Sequence, residues 1–173
     1  MGIGKDAIPD AIGDPNFVGA WYQGVKLALY DVSSKDTLKE VDSLVIGKRG
    51  TESAVLQDHH TLAWLASGDL ATLAIPIELH NNRYPDNYFG ANYDYSKPNS
   101  YFDWTHTGLY TFTIDTGPKP KITFERRLIA NTNDPKLYSN YVGVSTYNDR
   151  AVIQGSSVHY LHDNRILSTP LAP

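Results

Sequence analysis

From Trp21 to Ser168 short apolar runs alternate with turns rich in Gly, Asp, Asn, Ser and Pro, and no useful stretch keeps the 3.6-residue period of a helix. Parallel neighbours need a long crossover, usually a helix, so strands joined by such turns must pair antiparallel. The expected fold class is therefore all-β, built from antiparallel β-sheets.

The runs can be placed. Val25 to Val32 alternates, with Val25, Leu27 and Leu29 on one face. Ser33 to Thr37 is a polar turn, and Leu38 to Ile46 returns as a second strand. His60 to Leu65 and Leu70 to Leu79 flank the turn Ala66-Ser-Gly-Asp69, and Pro76 marks a strand end or bulge. Gly108 to Asp115 and Lys121 to Leu128 flank a Gly-Pro-Lys-Pro turn. Tyr141 to Tyr147, Arg150 to Gln154, Ser157 to Leu161 and Arg165 to Ser168 complete the set. Residues 1 to 24, rich in Gly, Pro and Asp, read as a loop leading into the first strand.

Four strands between about 59 and 128 match one blade of a β-propeller, with half a blade before and most of one after. Two hairpins share a layout: an apolar strand reaching Asp (Tyr30-Asp-Val32 and Thr113-Ile-Asp115), a polar turn, then a charged strand. The expectation is a partial propeller of about two blades, one domain over 1–173, with a long aromatic loop insertion. By spacing alone, a sandwich or an antiparallel barrel fits nearly as well.

Composition narrows the function classes. With 41% hydrophobic and 20% charged residues the chain can bury a core. A net charge of −4, with both signs mixed, provides no basic stripe for nucleic acid. No run approaches the roughly 18 apolar residues of a membrane span, and Met1-Gly-Ile-Gly-Lys-Asp lacks the apolar core of a signal peptide. The absence of cysteine excludes disulfides, thiolate metal sites and a Cys nucleophile. Twelve tyrosines favour strands and ligand-facing surfaces.

Three groups of residues could carry chemistry. Asp58, His59 and His60 form the densest titratable cluster and are the candidate catalytic residues. A His beside an Asp can act as an oriented general base or a metal ligand, while the structural alternative has Asp58 capping a turn and one His bonding between blades. Within the long segment 80–105, Asp86, Asn87, Asn92, Asp94 and Asp103 supply hard oxygens suited to Ca²⁺, although the spacing is not that of an EF-hand and Asn, Asp and Pro also simply make turns. The same segment interleaves Tyr84, Tyr88, Phe89, Tyr93, Tyr95, Tyr101, Phe102 and Trp104. These rings could stack on a small-molecule, glycan or peptide ligand, with Tyr84, Tyr88, Tyr93, Tyr101 and Trp104 as the candidate binding residues, or fold into a mini-core of their own. There is no Gly-x-Ser-x-Gly elbow, His-Glu-x-x-His or phosphate-binding Gly-rich loop.

The order of Gly2-Ile-Gly-Lys-Asp-Ala7, Trp21-Tyr-Gln-Gly-Val-Lys-Leu-Ala-Leu-Tyr-Asp-Val-Ser33, Lys39-Glu-Val, Ile46-Gly-Lys-Arg-Gly50 and Asp58-His59 carries a family resemblance. The chain resembles the C-terminal part of the secreted β-propeller domain proteins of bacteria and archaea, distantly related to WD40 repeats. The resemblance implies an extracytoplasmic propeller, with further blades preceding this segment in longer members, and no established activity. The function expected is a ligand- or partner-binding module, with a structural Ca²⁺ as a possible cofactor and no organic cofactor. The alternative is a Ca²⁺-dependent hydrolase of esters or lactones, by analogy with other propellers. Blades bury their faces against neighbours, so two blades alone expose apolar faces that a homo-oligomer or a longer chain would cover.

Overall fold

The computed structural model describes residues 1–9, 19–34, 36–90, 93–132 and 144–171, without the side chains of Asp86 and Asn87. Among these residues, ten strands form three antiparallel sheets. The first contains β1 (Gly2–Pro9), β2 (Ala20–Asp31) and β3 (Lys39–Ile46). The second is a complete four-stranded blade of β4 (Ala63–Ser67), β5 (Leu70–Asn82), β6 (Asp103–Asp115) and β7 (Lys121–Thr132). The third contains β8 (Arg150–Gln154), β9 (Ser157–His162) and β10 (Arg165–Pro170). Strands follow one another across each sheet in chain order, as short antiparallel connections require.

The sheets stack side by side. On β5, Leu73, Ile75 and Ile77 are fully buried and join Val25, Leu27, Leu29 and Ile46 of the first sheet in one core, with Phe112 and Ile114 of β6. Ala74 and Leu109, on the opposite face, join Ala151, Val158 and Tyr160 of the third sheet in another. The run Leu73-Ala-Ile-Pro-Ile77 is apolar throughout because both faces of its strand are covered, whereas β2 of the flanking sheet alternates. Three layers with two cores give the propeller arrangement and not the two-layer sandwich that the spacing also allowed. β4 lies against β8 along one edge of the stack, and β3 against β7 along the other.

Directional bonds pin the layers. The Asp42 carboxylate of β3 accepts the backbone N–H of Ile122 on β7 at 2.7 Å. Arg126 of β7 donates to the carbonyl of Pro170 on β10 at 2.8 Å. Ahead of β4, the N–H of Ala54 donates to the Thr146 hydroxyl, ahead of β8, at 3.0 Å. The β4–β5 and β8–β9 hairpins have equivalent closing pairs, Ser67 with Leu70 and Gln154 with Ser157. Gly68 (φ 60°) and Gly155 (φ 58°) occupy the first loop position in each, where positive φ favours glycine.

Several expectations need correction. The opening segment, read as loop, holds strand β1, which pairs Gly2 with Ala28 through Pro9 with Ala20. Its Gly and Pro content hid a strand because an edge position tolerates both. The strand expected from His60 begins only at Ala63, since His59–Thr61 is a 3-10 turn. Segment 80–105 includes one helical turn, Asp86–Phe89. Of the strand expected over 141–147, residues 141–143 lie outside the described chain. The rest forms no strand, and Asp149 donates back to the Thr146 carbonyl at 2.9 Å in a turn.

Because β5 is packed on both faces, neighbouring substitutions on it should both destabilise. Leu73→Ala should lower unfolding free energy by about 2–5 kcal/mol in urea titrations. Ala74→Leu should lower it by about 1–3 kcal/mol, since the third sheet leaves no room for the larger side chain.

Candidate functional site

Asp58, His59 and His60 do converge, because the chain turns where an extended strand was expected. Asp58 is the N-cap of the 3-10 turn His59–Thr61, accepting the His60 N–H at 3.0 Å. Its Oδ1 also lies 2.9 Å from His60 Nδ1, and Oδ2 accepts Arg150 Nη2 at 3.2 Å. The backbone and ring hydrogen bonds from His60, helped by the Arg150 charge, hold the Asp58 carboxyl below its ordinary pKa. The His59 and His60 rings sit 4.0 Å apart. One ligand atom from each of the three side chains can be chosen so that all lie within 4.8 Å of one another. Arg150 opens β8, so the cluster sits on the seam between the second and third sheets, beside the edge where β4 meets β8. The structural alternative is thus present in part: Asp58 caps a turn and ties two blades, through an arginine and not a histidine.

The rings of segment 80–105 pack on one another in a chain. Tyr84 stacks on Tyr88 at 4.7 Å, Phe89 on Tyr93 at 4.4 Å, and Tyr93 meets Tyr95 edge-on at 4.8 Å. The Tyr95 hydroxyl accepts the Tyr84 N–H at 2.7 Å, and the Tyr93 hydroxyl accepts that of Tyr101 at 2.8 Å. Arg49, on the connection after β3, places its guanidinium 4.2 Å from the Tyr101 ring centroid and 4.8 Å from that of Trp21, fastening the segment to the first sheet. Tyr88 remains 64% exposed and Tyr101 47%. Beside them Phe89, Tyr93, Asp94, Lys97, Asn99 and Ser100 line a recess of about 400 Å³. Trp104, by contrast, is buried and donates its indole N–H to Thr107 at 3.1 Å.

Of the proposed Ca²⁺ ligands, the side chains of Asp94 and Asp103 can be followed, and each accepts a backbone N–H close by in sequence. Asp94 Oδ1 accepts from the Ser96 N–H and hydroxyl, which lower the Asp94 pKa. Asp103 is buried, with Oδ1 accepting the Trp104 N–H at 2.8 Å. Asn92 and the side chains of Asp86 and Asn87 lie outside the described residues.

Two arrangements escaped the sequence reading. A groove of about 990 Å³ opens between the first and second sheets, walled by Leu29, Tyr30, Val32, Leu62, Trp64 and Ile114. In the third sheet, buried Asp149 accepts the Tyr160 hydroxyl and lies 2.9 Å from His162 Nδ1. Tyr160 and His162 share a face by strand alternation, which was readable; their meeting with Asp149 from the preceding turn was not.

Blades stacked face to face through two cores define the class as that of a β-propeller. A family model described as a β-propeller domain matches residues 1–172, and the chain belongs to that family. No curated protein and no solved structure matches it.

Two buried histidines give the fold opposite pH sensitivities. Burial, with the Arg127 charge adding to it, pushes His106 down to about 4. Its contribution to stability is present above the unfolded value of about 6.5 and is lost as pH falls toward 4. The hydrogen bond to Asp149 and the charges of Asp149 and Asp163 raise His162, so its contribution is full below about 6.5 and is lost as pH rises through its folded pKa. Urea unfolding across pH should show both flanks. His106→Gln should flatten the acid flank, and Asp149→Asn the alkaline one.

Proposed function

We propose that this chain is a binding module of an extracytoplasmic propeller that takes a glycan on its aromatic segment and performs no chemistry of its own. The observation that carries this reading is the exposed ring of Tyr88, packed edge-on against Phe89, which with Tyr93 lines a polar recess. A sugar ring offers C–H faces that stack on aromatic rings, and hydroxyls that bond to carboxylate, amide and ammonium groups. Asp94, Lys97, Asn99 and Ser100 provide such groups beside Phe89 and Tyr93. Mutual packing of the remaining rings, and the Arg49 clamp, favour a surface formed before the ligand arrives. The extracytoplasmic placement rests on the resemblance to secreted propeller proteins.

Binding is favoured over hydrolysis because Asp58 is engaged as a turn cap by His60 and as a tie between two blades by Arg150, which is the structural reading of the cluster. Affinity electrophoresis in gels containing soluble β-glucan, xylan, mannan or chitosan should show retardation on at least one polysaccharide. Tyr88→Ala should reduce that retardation by about tenfold in apparent affinity, a loss of about 1.4 kcal/mol, without lowering thermal stability. Migration unchanged on all four would refute the glycan reading.

A further inference from the structure

We propose that Asp58, His59 and His60 form a site for one divalent transition-metal ion, held by two imidazole nitrogens and one carboxylate oxygen, on the seam between the second and third sheets. This site lies apart from the aromatic segment and does not depend on glycan binding.

The turn brings the three donors together and holds the carboxylate in place. Asp58 is fixed by its cap bond to the His60 N–H, by Arg150 on its other oxygen, and by Thr61, whose hydroxyl donates to the Asp58 carbonyl at 2.8 Å. Asp58 Oδ1 and His60 Nδ1 are 2.9 Å apart. Two donors on a tetrahedral ion with bonds near 2.0–2.1 Å lie about 3.3 Å from each other, so an ion can enter between this pair with a small outward movement. His59 supplies the third donor, within 4.8 Å of the others. The side chain of His60 is 75% exposed, which leaves it free to adjust and leaves the ion's remaining positions open to water. On binding, the ring proton of neutral His60 is carried on Nε2, by exchange through solvent, so that the imidazole stays neutral and the Nδ1 lone pair goes to the metal.

The donor set selects the ion. Two imidazoles with one carboxylate suit Zn²⁺, Co²⁺, Ni²⁺ or Cu²⁺, whereas Ca²⁺ takes six to eight oxygens. Arg150 acts as a positioning residue: it keeps Oδ2 away from the ion and so leaves Oδ1 as the ligand.

The test is a titration of the full chain with Co²⁺, followed by its visible absorption, and with Zn²⁺ by calorimetry. One equivalent should bind saturably, with Co²⁺ bands stronger than those of the aqua ion, and excess Ca²⁺ should not displace it. His59→Gln and His60→Gln should each weaken binding by about tenfold or more, and the double variant should abolish it. Arg150→Gln should retain one equivalent at lower affinity. Melting temperatures of the histidine variants should match the parent, since both side chains are exposed. Undiminished binding by the double variant, or no saturable binding by the parent, overturns the site.

Discussion

Sheet stacked on sheet is the contact from which the rest of the structure follows. A single four-stranded antiparallel sheet in water has no cover for either face, and burying a Leu or Ile side chain is worth about 1.5–3 kcal/mol. The second sheet spends both faces in this way, Leu73, Ile75 and Ile77 toward the first sheet and Ala74 and Leu109 toward the third. The asymmetry in size matters. β5 turns Leu73, Ile75 and Ile77 toward the first sheet and the smaller Ala74 toward the third, into the core that also holds the buried Tyr160.

Both candidate sites hang on this stack. The Asp58 cluster exists because the lead-in to β4 and the start of β8 meet on the seam between two blades, so Arg150 reaches a carboxylate far away in sequence. The aromatic segment grows out of the β5–β6 connection of the central blade and is tied back to the first sheet through Arg49. Loops carried on rigid strands are where propellers and other β-folds place recognition, and these two loops issue from the best-packed sheet of the chain.

The strands were legible where apolar residues alternated against polar ones, as in Val25 to Leu29, and where glycine marked a two-residue turn, as at Gly68 and Gly155. β1 was not, because Gly2, Gly4 and Pro9 spell loop chemistry and only the pairing with β2 makes them a strand. The Asp58-His59-His60 cluster was visible in sequence, but that its three side chains meet was not, because neighbours on an extended chain point to opposite faces. The cap formed by Asp58 turns the chain and brings them together, as the structural alternative held for that residue. Arg49 and Arg150 stood out in no local pattern. Each acts across more than fifty residues or between blades, and periodicity holds no trace of such contacts. Tyr84 and Tyr95 looked like ligand-facing rings but also serve as internal fasteners, a division of labour that composition does not resolve.

Apolar faces adhere but do not say how far one sheet should slide along the next. Asp42 supplies that missing coordinate: its carboxylate meets a single amide, that of Ile122, and a shift by one residue in either direction would leave the anion facing a differently oriented peptide unit. The first blade is thereby indexed against the central one as a ratchet is by its pawl.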